Sequence, residues 1–121
     1  QLRFFFDLHR NARFILEASF CEINSKKAAR IMLVCRSSQR YYNDNWQKNE
    51  AFMQRLAAKM EELYPGLLRR VSVQAGRYNQ HIFDHAILVE MGSTENHIDE
   101  VEYSASLLAE VLRQTLAEEA N

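Results

Sequence analysis

The sequence predicts an α/β fold with a mixed, mostly parallel sheet flanked by helices. Short apolar runs rich in Phe, Ile, Leu and Val alternate with two longer segments whose apolar residues recur every three or four positions, the mark of strands and amphipathic helices in one chain. A second observation is the run Ile31, Met32, Leu33, Val34, Cys35, apolar without polar alternation, as in strands covered on both faces by helices. The coarse order is strand, hairpin, helix, strand, strand, helix, with no internal repeat and no low-complexity segment.

The first strand spans about residues 3–9, in "RFFFDLHR". Phe4, Phe5, Phe6 and Leu8 read as buried, whereas Asp7, His9 and Arg10 cost free energy to bury unless something pairs with them. From Phe14 to Ile23 the chain alternates weakly, and "NSKK" then turns it into "AARIMLVCR", a hairpin with Asn24 and Ser25 in the turn and a central second strand. Cys21 and Cys35 could face one another across that hairpin, as a disulfide or as two thiols. Free thiols are favoured, because Cys is among the most buried residue types.

After the polar loop "SSQRYYNDN", Trp46, Met53, Leu56, Ala57, Met60, Leu63 and Tyr64 fall along one helical stripe, while Gln47, Lys48, Gln54, Lys59 and Glu61 face elsewhere. "YPG" stops this helix, since proline cannot continue it and glycine releases the turn. "RRVSVQA" alternates as a short strand, "GRYNQHIFDH" reads as a loop, and the apolar run Ala86–Val89 ends in Glu90, followed after one residue by Gly92. The last helix runs from about Ile98 to Glu118 with a stripe of Val101, Ala105, Leu108, Val111 or Leu112, and Thr115. Asp99 and Glu100 occupy its first turn, where the macrodipole favours negative charge.

A chain of 121 residues forms one domain with a single core. Fifteen basic against sixteen acidic residues leave a net charge of −1, without the basic excess that phosphate binding requires, which argues against nucleic acid as a partner. No apolar run approaches the roughly 20 residues that cross a bilayer, and no signal peptide opens the chain. Beginning at Gln1 with a strand already under way, the chain is expected to be a piece of a longer polypeptide.

In open α/β sheets the ligand crevice lies outside the carboxyl ends of the strands. His9 and Glu90 each end an apolar strand, so they are expected to converge on one crevice. An imidazole beside a carboxylate suits a zinc hydrolase, in which neutral imidazole binds the metal and a carboxylate outside the ligand set takes the proton of the attacking water. Asp7, two residues before His9 on the same strand face, is placed to orient it. His81 and His85 are four apart, but the general-base glutamate of H-E-x-x-H is missing and the setting is a loop, so coincidence is favoured. His97 is expected to be a solvated residue at the helix start, and Thr94 and Asn96 to shape and cap the turn before it.

"DLHR" after an apolar strand, "YPGLLRRV" after a helix, "GRYNQH" and "ILVEMGSTENHIDEVEYSASLLAEVL" resemble the stage II sporulation protein P family through nearly the whole chain. The E-x-G-x-x-x-N pattern of Glu90, Gly92 and Asn96 is similar to the signature of the broader zinc-dependent N-acetylmuramoyl-L-alanine amidases. The resemblance implies an amidase-like fold lacking its N-terminal strand and helix, with residues 1–121 as the C-terminal portion of a peptidoglycan amidase catalytic domain. It implies an extracytoplasmic, membrane-anchored hydrolase that cuts peptidoglycan during spore formation, with amidase and endopeptidase activities. Zn2+ would be the cofactor, His9 a zinc ligand and Glu90 the catalytic carboxylate. Peptidoglycan and other sporulation wall-remodelling proteins at the membrane would be the partners.

In the family two further ligands, a histidine and a glutamate, come from an earlier strand and the segment after it. With Gln1 as first residue those ligands are expected to be missing, so the piece should hold zinc weakly and release no peptide by itself. Arg77, Tyr78, Asn79 and Gln80 are candidate contacts for a glycan or stem peptide at the crevice rim, although Asn79 and Gln80 could equally bond loop backbone. Tyr41, Tyr42 and Trp46 could wall a sugar site, with Trp46 more often a core residue. The rival class is a non-catalytic cell-wall-binding or partner-binding domain that keeps the fold without the metal. A histidine and a glutamate upstream of Gln1 would favour the enzyme.

Overall fold

The computed structural model describes residues 5–11, 19–37, 46–75 and 86–119. In chain order they form β1 (Phe5–Asn11), β2 (Phe20–Ile23), β3 (Lys26–Ala29), β4 (Ile31–Ser37), α1 (Trp46–Leu63), β5 (Leu68–Ala75), β6 (Ala86–Ser93) and α2 (Ile98–Glu119). The main sheet has the order β1-β6-β4-β5, and β2 and β3 make a separate two-stranded hairpin. β1 runs parallel to β6 and β4 parallel to β5, while β6 and β4 meet antiparallel. The fold is therefore α/β with a mixed, mostly parallel sheet, and β4 is central, as its apolar run suggests.

Side chains alternate across a strand. Ile31, Leu33 and Cys35 of β4 and Ile87, Val89 and Met91 of β6 accordingly share the main core with Phe52, Met53 and Leu56 of α1 and with Leu107, Leu108 and Val111 of α2. Met32, Val34 and Leu88 point the other way and form a second buried cluster. Both described helices thus lie on one face of the sheet, and the opposite face of β4 is buried as well, as its apolar run suggests. The run lacks polar alternation because both faces are buried, not because each carries a helix among the described residues. β1 is an edge strand, so Leu8, opposite Val89 on the helix side, is 57% exposed rather than buried.

The hairpin also differs from its expected form. The chain reverses at Asn24 and Ser25 alone, whose φ of 52° and 66° suit a two-residue hairpin turn, so Lys26 and Lys27 are strand residues. The long apolar segment after the turn is two strands in two sheets, and Arg30 is the break. Its N–H donates to Ser19 O at 2.9 Å and its carbonyl accepts from Gly92 N at 2.7 Å. Its guanidinium donates to Gly66 O and Leu68 O at 3.1 and 3.3 Å. Cys21 consequently pairs with Ala28 while Cys35 belongs to the main sheet, and both are free thiols.

Helix α1 follows its predicted stripe and adds Phe52 and Asn49. Asn49 is fully buried, and its Oδ1 accepts the Ala86 N–H at 3.0 Å, pinning the start of β6. In α2 the buried face is Ser104, Leu107, Leu108, Val111 and Thr115, whereas Ala105 is exposed. The stripe shifts by one position because Ser104 Oγ donates to Ala29 O and so seats the helix on the hairpin. At the far end Arg55 pairs with Glu119, and Lys59 with Glu118 and Glu62, which ties α1 to α2. Among the described residues no helix is long and apolar enough to cross a membrane.

Burial, and secondarily the charge of Glu50, push the Cys35 thiol up to about 11. Thiolate is the reactive form, so alkylation of Cys35 at pH 8 should run on the order of a hundredfold slower in native than in urea-unfolded protein. Equal rates by mass-spectrometric labelling would show that the thiol is not shielded by the core.

Candidate active site

Register decides which side chains meet. In the parallel β1–β6 pair, Phe6 stands opposite Ile87, Asp7 opposite Leu88, Leu8 opposite Val89 and His9 opposite Glu90. Partners in register share a face. Since Ile87 and Val89 face the helices, Asp7, His9 and Glu90 lie on the helix-free face. The antiparallel β6–β4 pair sets Glu90 opposite Met32, and the β4–β5 pair sets Met32 opposite Arg70. One cross-strand row therefore reads His9, Glu90, Met32, Arg70, beside a second row of Asp7, Leu88, Val34 and Ser72.

The convergence of His9 and Glu90, expected from their apolar runs, is present as direct strand neighbours. Their placement at strand ends is not. β1 continues past His9 to Asn11 through a register shift, and β6 continues past Glu90 to Ser93. A polar residue ends the apolar run, but the backbone ladder has no reason to stop there.

His9 Nε2 lies 2.9 Å from Asp7 Oδ1, the orienting contact their spacing suggests, and it engages one ring nitrogen only. Glu90 is half-buried, and its Oε2 is a buried oxygen with no hydrogen-bond partner among the described residues. An unsatisfied buried acceptor costs about 1–3 kcal/mol and calls for a ligand, ion or water to justify it. Arg10 takes no part in this pair. Its guanidinium donates to Ser93 O at 2.9 Å and Asn96 O at 2.5 Å, fastening β1 to the turn after β6.

Gly92 and Asn96, the other members of E-x-G-x-x-x-N, form one turn device. Asn96 Oδ1 accepts the Ser93 N–H at 2.6 Å, and its Nδ2 donates to Ser19 O and Glu100 Oε1, both at 2.9 Å. Gly92 has φ +61°, and a Cβ there would stand 2.1 Å from Asn96 Oδ1. Only glycine admits both the left-handed backbone and the close amide. Asn96 thus shapes the entry to α2 as expected. Thr94 is exposed, and so is His97, whose carbonyl accepts the Glu100 and Val101 N–H groups at 3.0 and 3.3 Å.

Arg77, Tyr78, Asn79 and Gln80 lie outside the described residues, as do His81, His85, Tyr41 and Tyr42. Trp46 opens α1 half-buried on the helix side, where its carbonyl accepts from Cys35 Sγ at 3.6 Å, so it does not wall the row of His9 and Glu90. Sequence reasoning missed Arg70 and Ser72. The alternation of "RRVSVQA" puts both on one face, but nothing local says that this face is shared with Glu90.

A catalytic zinc takes three protein ligands. Among the described residues no group of three or more His, Cys, Asp or Glu could hold a metal ion. Among the described residues His9 contacts only Asp7, through one ring nitrogen, and Glu90, opposite it in register, has a buried oxygen without a hydrogen-bond partner, so the two fit one side of such a centre.

A family model described as "Stage II sporulation protein P (SpoIIP)" matches residues 1–113. The chain belongs to the stage II sporulation protein P family. It is 29% identical over 118 residues to "Stage II sporulation protein P" of Bacillus subtilis (strain 168), an alignment covering 93% of this chain. The chain spans about 28% of the length of that relative. No solved structure matches it. Membership relates the chain to sporulation, and the family match includes both His9 and Glu90.

In the full-length protein Gly92→Ala should cost roughly 2–4 kcal/mol, through left-handed backbone and the clash with Asn96, and Asn96→Ala about 1–3 kcal/mol. Because the two residues form one device, the double variant should fall well short of the sum in urea unfolding. Additive costs would show that they act independently.

Proposed function

We propose that this chain carries part of the active site of a zinc-dependent peptidoglycan hydrolase, an N-acetylmuramoyl-L-alanine amidase with endopeptidase activity. In the full-length protein it would act outside the cytoplasm, anchored to the membrane, during spore formation. The observation that carries this reading is the register pairing of His9 with Glu90, whose buried Oε2 has no hydrogen-bond partner among the described residues. Family membership supports the sporulation context.

Zinc, when bound, would supply positive charge that polarises the amide carbonyl between the lactyl group of muramic acid and L-alanine. His9 would hold it through the ring nitrogen that Asp7 leaves uncommitted, and Asp7 would keep the ring in that orientation. Glu90 would take a proton from the water that adds to the carbonyl carbon, then give it to the amine nitrogen as the C–N bond breaks. Met32, opposite Glu90 on β4, and Leu88, two residues before it on the same face of β6, are both buried and limit bulk water on the side away from His9. Peptidoglycan is the substrate of this reading, and other wall-remodelling proteins at the membrane are its partners.

Two substitutions in the full-length protein test it. Glu90→Gln should lower the release of L-alanine-headed peptides by a factor on the order of 10² to 10⁴ while zinc content and melting temperature stay nearly unchanged. Turnover within about twofold of wild type would remove Glu90 from the chemistry. His9→Ala should lose bound zinc in elemental analysis, since a centre deprived of one of three ligands competes poorly with water. Full zinc content would exclude His9 as a ligand, and a full-length protein that binds peptidoglycan but neither zinc nor cleavage would favour the wall-binding reading.

A further inference from the structure

Helix α2 carries a second apolar arc beside the one it buries. Successive residues of a helix turn by about 100°, so Ile98, Val101, Ala105, Ala109, Leu112 and Leu116 fall within roughly 80° of one another. The arc adjoins the buried face that includes Leu108 and Thr115, and no charged residue interrupts it between Ile98 and Leu116. Val101, Leu112 and Leu116 are half-buried and pack against the main core. Ile98, by contrast, is 56% exposed, and Ala105 and Ala109 are exposed as well. Among the described residues nothing covers these three. Beyond them Glu102, Ser106 and Arg113 form the solvent flank of the helix, with Arg113 paired to Glu110. On the helix side of the sheet Leu8 of β1 is a further uncovered apolar residue, 57% exposed.

Single exposed apolar residues need no explanation, but an uncharged arc along one helix, continuous with the core, has the character of an interface. Permanent contacts are more apolar than transient ones and resemble a core cut in two. Continuity with the core therefore favours an occupant that belongs to the same polypeptide. The chain spans about 28% of the length of its relative, so a full-length protein of that size has further chain to supply it. Ala105 and Ala109 put small side chains at the middle of the arc, which lets a second helix axis approach to about 8–10 Å between the larger Ile98 and Leu112.

We propose that an amphipathic helix from the part of the full-length protein outside these 121 residues packs along this arc of α2 and completes the core over it. The proposal is independent of the hydrolase reading, since Glu90 faces the other side of the sheet.

The test uses the full-length protein. Ala105→Cys and Ala109→Cys report on the arc, and Ser106→Cys and Ala117→Cys on the solvent flank. Maleimide labelling, read by peptide mass spectrometry, should run at least about tenfold slower at positions 105 and 109 than at 106 and 117, with a ratio that is unchanged on hundredfold dilution. Ala109→Glu should lower the melting temperature by at least about 5 °C and Ser106→Glu by less than about 1 °C, because only the first places a charge in a covered position. Carbene footprinting of the wild type keeps the question open to test if the variants fail to fold: Ile98 should take up at least about fivefold less label in native than in urea-unfolded protein. Equal labelling at all four cysteines, or a loss of label at Ile98 of about twofold or less, would overturn the proposal by showing an open face. Protection that fades on dilution, as a dimer gives way to monomer in light scattering, would overturn it too and assign the arc to a second copy of the chain.

Discussion

Strand β6 is hydrogen-bonded along both edges, to β1 in parallel and to β4 in antiparallel register, and every side chain of the candidate site takes its place from that double pairing. The side-chain period of a strand is two residues, so a slip of one position would send Ile87 and Val89 out of the core and Glu90 into it. The cost of moving that much apolar surface fixes the register. The juxtaposition of His9, Glu90 and Met32 is thus a by-product of core packing on the opposite face. Stability and chemistry share one strand and use its two sides.

The turn after β6 holds this arrangement from the end. Asn96 reaches Ser93, Ser19 and Glu100, Arg10 reaches the carbonyls of Ser93 and Asn96, and Gly92 donates to Arg30. The ends of β1 and β6, the break between β3 and β4 and the start of α2 therefore meet in one hydrogen-bonded junction. It explains why a charged residue such as Arg10 follows His9 directly: its guanidinium satisfies carbonyls that a turn leaves open. In E-x-G-x-x-x-N only the glutamate faces the site, and the glycine and asparagine build the turn that positions it.

The helix-free face differs in character from the core face. Its buried centre of Met32, Val34 and Leu88 is apolar, whereas its flanks carry Asp7, His9 and Glu90 on one side and Arg70, Ser72 and Gln74 on the other. The helix side offers no such contrast. There the described polar contacts, such as those of Asn49 and Ser104, are satisfied within the fold.

Much of this was legible from residue order. The α/β class, both helices, the central place of β4, the pairing of Asp7 with His9 and the meeting of His9 with Glu90 follow from apolar periodicity, strand alternation and two short motifs, all of them local signals. The split of the presumed long hairpin strand at Arg30 was not legible, since it depends on hydrogen bonds to Ser19 and Gly92, far away in the chain. Nor was the seat of Ser104 against Ala29, which turned α2 by one position from its apolar stripe. The sequence by itself determined which residues could be buried and which could do chemistry. Only the tertiary structure decided that both described helices pack on one face and that Arg70 joins the row of Glu90, because strand order and direction come from pairing between distant segments, and local alternation carries no information about which neighbour a strand will choose.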